Sequence, residues 1–140
     1  GTKTENNYGY ISGRWQLGIT TQQKTWRDGT TYVALTGISP DSNVDKCNKA
    51  NPESAIKVGD IVTKIIYNNG KEDVETKITT INELSSAVYK MKKTVRLGDS
   101  IKIVVERVDS FGRVIDNVET TVILTVQNIF CNTGNAIVAE

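Results

Sequence analysis

No histidine occurs anywhere in this chain of 140 residues. Nucleophilic catalysis of the Ser-His-Asp or Cys-His kind needs an imidazole base that titrates near neutrality, so that chemistry cannot be completed within these residues. Cysteine is scarce as well: Cys47 and Cys131 have eighty-three residues between them, without the C-x-x-C spacing of a zinc site or a redox dithiol. They are either a bridge, worth on the order of 4–5 kcal/mol and implying an oxidising compartment, or two unrelated thiols. An excess of charge of one sign is also missing. Seventeen Lys and Arg against sixteen Asp and Glu leave a net charge of +1, which argues against nucleic acid as a partner. No run of eighteen apolar residues exists and no charged-then-apolar leader opens the chain. Neither a membrane span nor a signal peptide is therefore expected, as for a piece cut from a longer protein. No metal or cofactor is expected either. What is present, 38% hydrophobic and 24% charged residues, suits one folded domain with a core of its own.

Residues 1–12 are polar and without periodicity, the pattern of a linker. From Trp15 to Thr21 the sequence is β-prone, and Thr30 to Ile38 is rich in Thr, Val, Tyr and Leu, so two strands are predicted with Gln22 to Gly29 as their connection. Both prolines, Pro40 and Pro52, fall in Ser39 to Ser54 among Asp, Asn, Ser and Lys, which predicts a long irregular loop. Ile61 to Tyr67 carries apolar residues in both alternating sets, as a central strand does, and Asn68-Asn69-Gly70-Lys71 signals a turn.

One helix is explicit. Thr80 and Glu83 have the spacing of a capping box, in which each side chain satisfies the other's backbone N–H. Leu84, Ala87, Val88 and Met91 then recur at helical period, leaving Lys90, Lys92 and Lys93 on a solvated face. Beyond Leu97-Gly98-Asp99, Ile101, Ile103 and Val105 alternate with Lys102, Val104 and Glu106, and after a turn at Gly112 the residues Val122, Leu124 and Val126 repeat the period, which predicts a closing hairpin. Residues 129–140 form a tail without a strong pattern.

Three stretches in this order carry a resemblance: Gly13-Arg14-Trp15-Gln16-Leu17-Gly18-Ile19, then Asn51 through Gly59-Asp60-Ile61-Val62, then Leu84 through Gly98-Asp99-Ser100-Ile101 to Arg107. Together they resemble a bacterial-type PDZ domain of the HtrA family of trypsin-like serine proteases, over residues 13–128. The chain departs from the family where Ser54-Ala55-Ile56 replaces a glycine-containing triplet, where Gln16 stands for a common Tyr, and at residues 39–54, which look like an inserted loop. The resemblance implies a β-rich α+β fold, a five- to six-stranded partly open barrel or sandwich capped by one main helix, with room for a short second one.

It also implies a non-catalytic peptide-binding module. Capture by strand addition needs a free sheet edge, converging N–H groups for a carboxylate, and a side-chain pocket. The expected groove is Gln16, Leu17, Gly18, Ile19, Thr20 and Thr21 on one wall and Ser85, Val88 and Tyr89 on the other, with Leu84 and Met91 turned to the core. Gly18 by itself reads more readily as a bulge or tight bend, and Val88, on the stripe of Leu84, also reads as a core residue. The implied partners are peptide C-termini and unfolded segments, the protease domain of the same chain, and further copies of the parent in a homo-oligomer, in an extracytoplasmic setting. Two other classes compete. A structural module would have its groove closed by the 39–54 loop or by the apolar tail Ala136-Ile137-Val138-Ala139. An enzymatic role for the neighbouring carboxylates Glu72 and Asp73 is disfavoured, because adjacent strand residues point to opposite sides.

Overall fold

Alternate residues are buried along much of Ser100–Val108 and Val114–Ile123, whereas consecutive ones are buried at Val33-Ala34-Leu35 and Ile61-Val62, so the middle of the sheet is covered on both faces. The computed structural model, describing residues 16–125, has six antiparallel strands and two α-helices, so the β-rich α+β class is observed. Strand β1 (Ile19–Thr25) pairs with β2 (Thr31–Ile38) around a turn where the Asp28 carboxylate accepts bonds from the Thr30 amide and hydroxyl. This corrects the expectation that Gln22 to Gly29 is a connection: the strand begins at Ile19 and runs to Thr25. Gln22, Gln23 and Lys24 are exposed. Their pairing with Ala34, Val33 and Tyr32 of β2, not their own hydrophobicity, makes them strand. Trp26 at the hairpin tip stacks on Tyr32 with ring centroids 4.1 Å apart, and Gly112 lies so close to the same indole that a Cβ there would press on it.

The segment 39–54 is not irregular. It contains helix α1 (Asn43–Ala50) and a 3-10 turn (Pro52–Ser54). The Ser42 hydroxyl caps α1 by accepting the Asp45 N–H at 3.1 Å. Eight residues with so little apolar content would not hold a helix alone; docking on the sheet holds it. Val44 is fully buried, and the Cys47 thiol donates to the Thr121 carbonyl at 2.9 Å. Asn48 then clamps the following chain, donating to the Ile56 carbonyl and accepting the Ile56 N–H.

Strand β3 (Ile61–Asn68) is central as expected, and β4 (Asp73–Lys77), which carries no strand pattern in its sequence, adds to it. Ile61 and Val62 pair with β2 and Lys64 to Asn68 with β4. The other edge of β3 meets β5 (Ser100–Val108), which pairs with β6 (Val114–Ile123). Glu72 and Asp73 sit exposed at the β3–β4 turn, where Asp73 accepts from the Asn68 side chain. Helix α2 (Ile81–Thr94) starts on the predicted capping box, and Leu84, Ala87 and Met91 face inward. Val88 departs from that stripe: it is half-buried at the core margin. Met91 belongs to one core cluster with Val33, Val62, Ile65, Ile103, Val105 and Val122, each inaccessible to solvent; such burial is worth about 1.5–3 kcal/mol per side chain. No helix among the described residues is long and apolar enough to cross a membrane.

Candidate functional site

Three consecutive carbonyls lead into β1, and each is bound from the inside. Gln16 O accepts from Asn43 Nδ2 at 2.8 Å, Leu17 O from the Val44 amide at 3.1 Å, and Gly18 O from the Ser39 amide at 2.7 Å. In a planar trans peptide the C=O of one residue and the N–H of the next point in opposite directions. The N–H groups of Leu17, Gly18 and Ile19 are therefore turned away from Asn43, Val44 and Ser39 respectively, toward the cavity their own residues line. Gly18 makes the turn possible. Its φ is +87°, and a Cβ there would fall on the Ser42 side chain. The residue is thus a close backbone approach as well as a bend.

Asn43 is the keystone of this loop and was missed from the sequence. It is 3% exposed, and all its polar capacity is used. Besides Gln16 O, its Nδ2 donates to Thr125 O, while its Oδ1 accepts the Thr125 amide at 3.0 Å and hydroxyl at 2.6 Å. Helix α1, expected as an insertion, is therefore what holds the loop in place.

The opposite wall is α2. Its N-terminal residue Ile81 donates its N–H to Gln23 Oε1 at 2.8 Å, so the start of the helix lies beside the far half of β1. From Ile81 to Lys92 the helix rises about 16 Å, and from Gln23 back to Leu17 the strand spans about 20 Å. The later turns of α2 thus return to the Leu17–Ile19 loop. Between them lies a groove of about 650 Å³, lined by Gln16, Leu17, Gly18, Ile19, Thr20 and Thr21 on one side and Leu84, Ser85, Val88, Tyr89 and Lys92 on the other, with Ser39 at the loop. All nine residues expected on the two walls border this one space. Leu84, assigned to the core, is buried and borders the groove too. Lys92, expected on the solvated face, follows Ser85 and Val88 at helical spacing and borders the groove as well. Ser39 carried no local signal; it arrives because β2 ends against Gly18.

The strand wall is also a sheet edge, since β1 pairs only with β2 among the described residues. The Ser39–Gly18 bond makes Ile19 and Ile38 a pair without mutual hydrogen bonds, so the N–H and C=O of Ile19 face the free edge. By strand alternation those of Thr21 do as well. Ile19 and Val88 supply an apolar floor packed on the core. Tyr89, 63% exposed, stands at the rim with the Lys93 ammonium 4.3 Å from its ring centre.

Other chemistry is sparse. Among the described residues no group of three His, Cys, Asp or Glu side chains is placed to hold a metal ion. Trp15, Val126, Cys131 and the 136–139 segment, for which the sequence raised roles, lie outside the described residues. Comparison with protein-family models, with curated proteins and with solved structures finds no match for this chain.

Proposed function

We propose that this chain is a PDZ-like, non-catalytic peptide-capture domain of an HtrA-like serine protease. It takes the free C-termini or extended segments of unfolded proteins as an added strand on β1. The observation that carries the reading is the row of three N–H groups at Leu17, Gly18 and Ile19, fixed because the three carbonyls before them are bonded inward. A terminal carboxylate in such a nest gains charge-assisted bonds, each worth about 1.5–3 kcal/mol. The next residues of the ligand pair with the free edge at Ile19 and Thr21, and an apolar side chain enters between Leu17, Ile19, Leu84 and Val88. The order of six strands, with α2 as main helix and α1 as the short second one, suits the partly open barrel of that family. On this reading the parent is an extracytoplasmic, oligomeric endopeptidase, and the domain delivers substrate or relays groove occupancy to its protease domain.

Titrating the 15N-labelled chain with apolar-ended peptides is expected to shift amides of Leu17 to Thr21 and Ser85 to Tyr89, and amidating the peptide C-terminus is expected to weaken binding about tenfold or more. The absence of shifts with every apolar-ended peptide overturns the reading. One observation favours a self-occluded groove instead: Asn43 holds Thr125 next to Gln16, so the chain leaves the described fold beside the loop. Deleting the residues after Asn128 separates the two readings. A rise in peptide affinity supports occlusion, and unchanged affinity removes it.

A further inference from the structure

We infer that Gln23 sets where the groove ends, and so how much of a bound chain is held; this rests on the peptide-capture reading above. The wall formed by β1 stops at Thr21, and that formed by α2 stops at Leu84. Two residues beyond Thr21, and therefore on the same face of the strand, stands Gln23. Its Oε1 accepts the Ile81 N–H at 2.8 Å. That N–H belongs to the first helical turn and has no partner inside the helix, so the bond joins strand and helix directly where the groove would otherwise continue. A second tether reinforces it: the Thr31 hydroxyl donates to the Thr79 carbonyl at 2.8 Å and holds the same end of α2 to β2. The neighbouring donors are also taken, since the Thr79 and Thr80 amides both bond Glu83.

The space left is short. From Gly18 to Thr21 the strand advances about 10 Å, and from Leu84 to Lys92 the helix rises about 12 Å, which is room for about three to four extended ligand residues. A longer chain meets the Gln23–Ile81 bridge and must leave the sheet edge there. The domain therefore reads a short apolar terminus and is indifferent to what precedes it, a property suited to substrates that share little sequence.

The test is a nested series of peptides of four, six and eight residues with the common free C-terminal sequence Thr-Ala-Val-Ile, each titrated by calorimetry. For the wild-type chain the dissociation constant is expected to stay constant within about twofold across the series. In Gln23→Ala the eight-residue peptide is expected to bind about fivefold or more tighter than the four-residue one, the worth of one or two added backbone bonds. Gln23→Glu keeps an acceptor for Ile81 and is expected to behave as wild type. A fivefold gain with length in the wild-type chain overturns the inference, and so does a folded Gln23→Ala whose affinities are as flat as wild type. If Gln23→Ala does not fold, the wild-type series with Gln23→Glu decides. No binding at any length overturns the peptide-capture reading itself and this inference with it.

Discussion

Arg107, at the end of β5, grips Asp60, just before β3, through two parallel bonds, Nε to Oδ1 at 2.9 Å and Nη2 to Oδ2 at 2.8 Å. Asp60 is 2% exposed, and its Oδ2 also accepts the Lys57 amide. Nη2 reaches the Ala55 carbonyl as well, so one guanidinium closes the whole 55–60 turn. The bonds it donates to Asp60 hold that guanidinium above the usual arginine range, against the opposing effect of burial. The turn then extends the short β2–β3 pairing through Leu35, whose N–H donates to Asp60 O and whose C=O accepts from Gly59.

Removing one partner of this pair leaves the other charge buried. Arg107→Met is expected to destabilise the domain by about 3–5 kcal/mol, and Arg107→Lys to restore only part of that, because an ammonium cannot make the forked bond. Urea unfolding measures it. A loss below about 1 kcal/mol, the worth of an exposed pair, would show that the Asp60 carboxylate is relieved by water.

Gly18→Ala combines a positive φ with a collision against Ser42. Stability is expected to fall by more than about 1 kcal/mol, and affinity for apolar-ended peptides to fall with it. Adding Ser42→Gly relieves the collision but not the backbone conformation, so only partial recovery of the melting temperature is expected. Full tolerance of Gly18→Ala in both readouts would remove the fixed-loop argument.

Asn43→Ala leaves Gln16 O and the Thr125 amide without their partner. The expected loss is about 1–3 kcal/mol in unfolding free energy. Amide exchange should show faster opening at Leu17 and Gly18, with weaker peptide binding. Loss of stability with unchanged exchange at these two amides would mean that Val44 and Ser39 hold the loop without Asn43.

Among the described residues four carboxylates lie below their ordinary range: Asp28 through the Thr30 hydroxyl, Asp45 through the Asp41 amide, Glu83 through the Thr79 hydroxyl and Asp109 through the Arg113 amide. A carboxyl depressed in the folded state binds its proton more tightly when unfolded. Its contribution is complete above the ordinary carboxylate range and is lost as pH falls through the folded value. With no histidine to titrate, the melting temperature is expected to be flat from about pH 5.5 to about pH 7.5 and to drop below about pH 4. A step near pH 6.5 in thermal melts would contradict this.

The elements legible in advance are those whose signal is local. Helix α2 was announced by Thr80, Glu83 and a core stripe, all within one continuous run, and β3 by its buried Ile and Val residues. Helix α1 was hidden because Val44 is its one fully buried apolar residue, and β4 because Val74 is its single apolar residue. Both are secondary structure by virtue of what they dock on. The groove divides in the same way. Ser85, Val88 and Tyr89 follow from helical period once the facing strand is known, whereas Asn43 has partners twenty-seven and eighty-two residues away and no local mark at all.

By itself the sequence determined the alternation of strands, the capped helix and the absence of imidazole chemistry, because period, capping and composition are properties of neighbouring residues. Only the tertiary structure decided that three carbonyls before β1 turn inward and that Gln23 reaches Ile81. Those bonds join segments distant in the chain, and their geometry exists only after the sheet has brought the segments together.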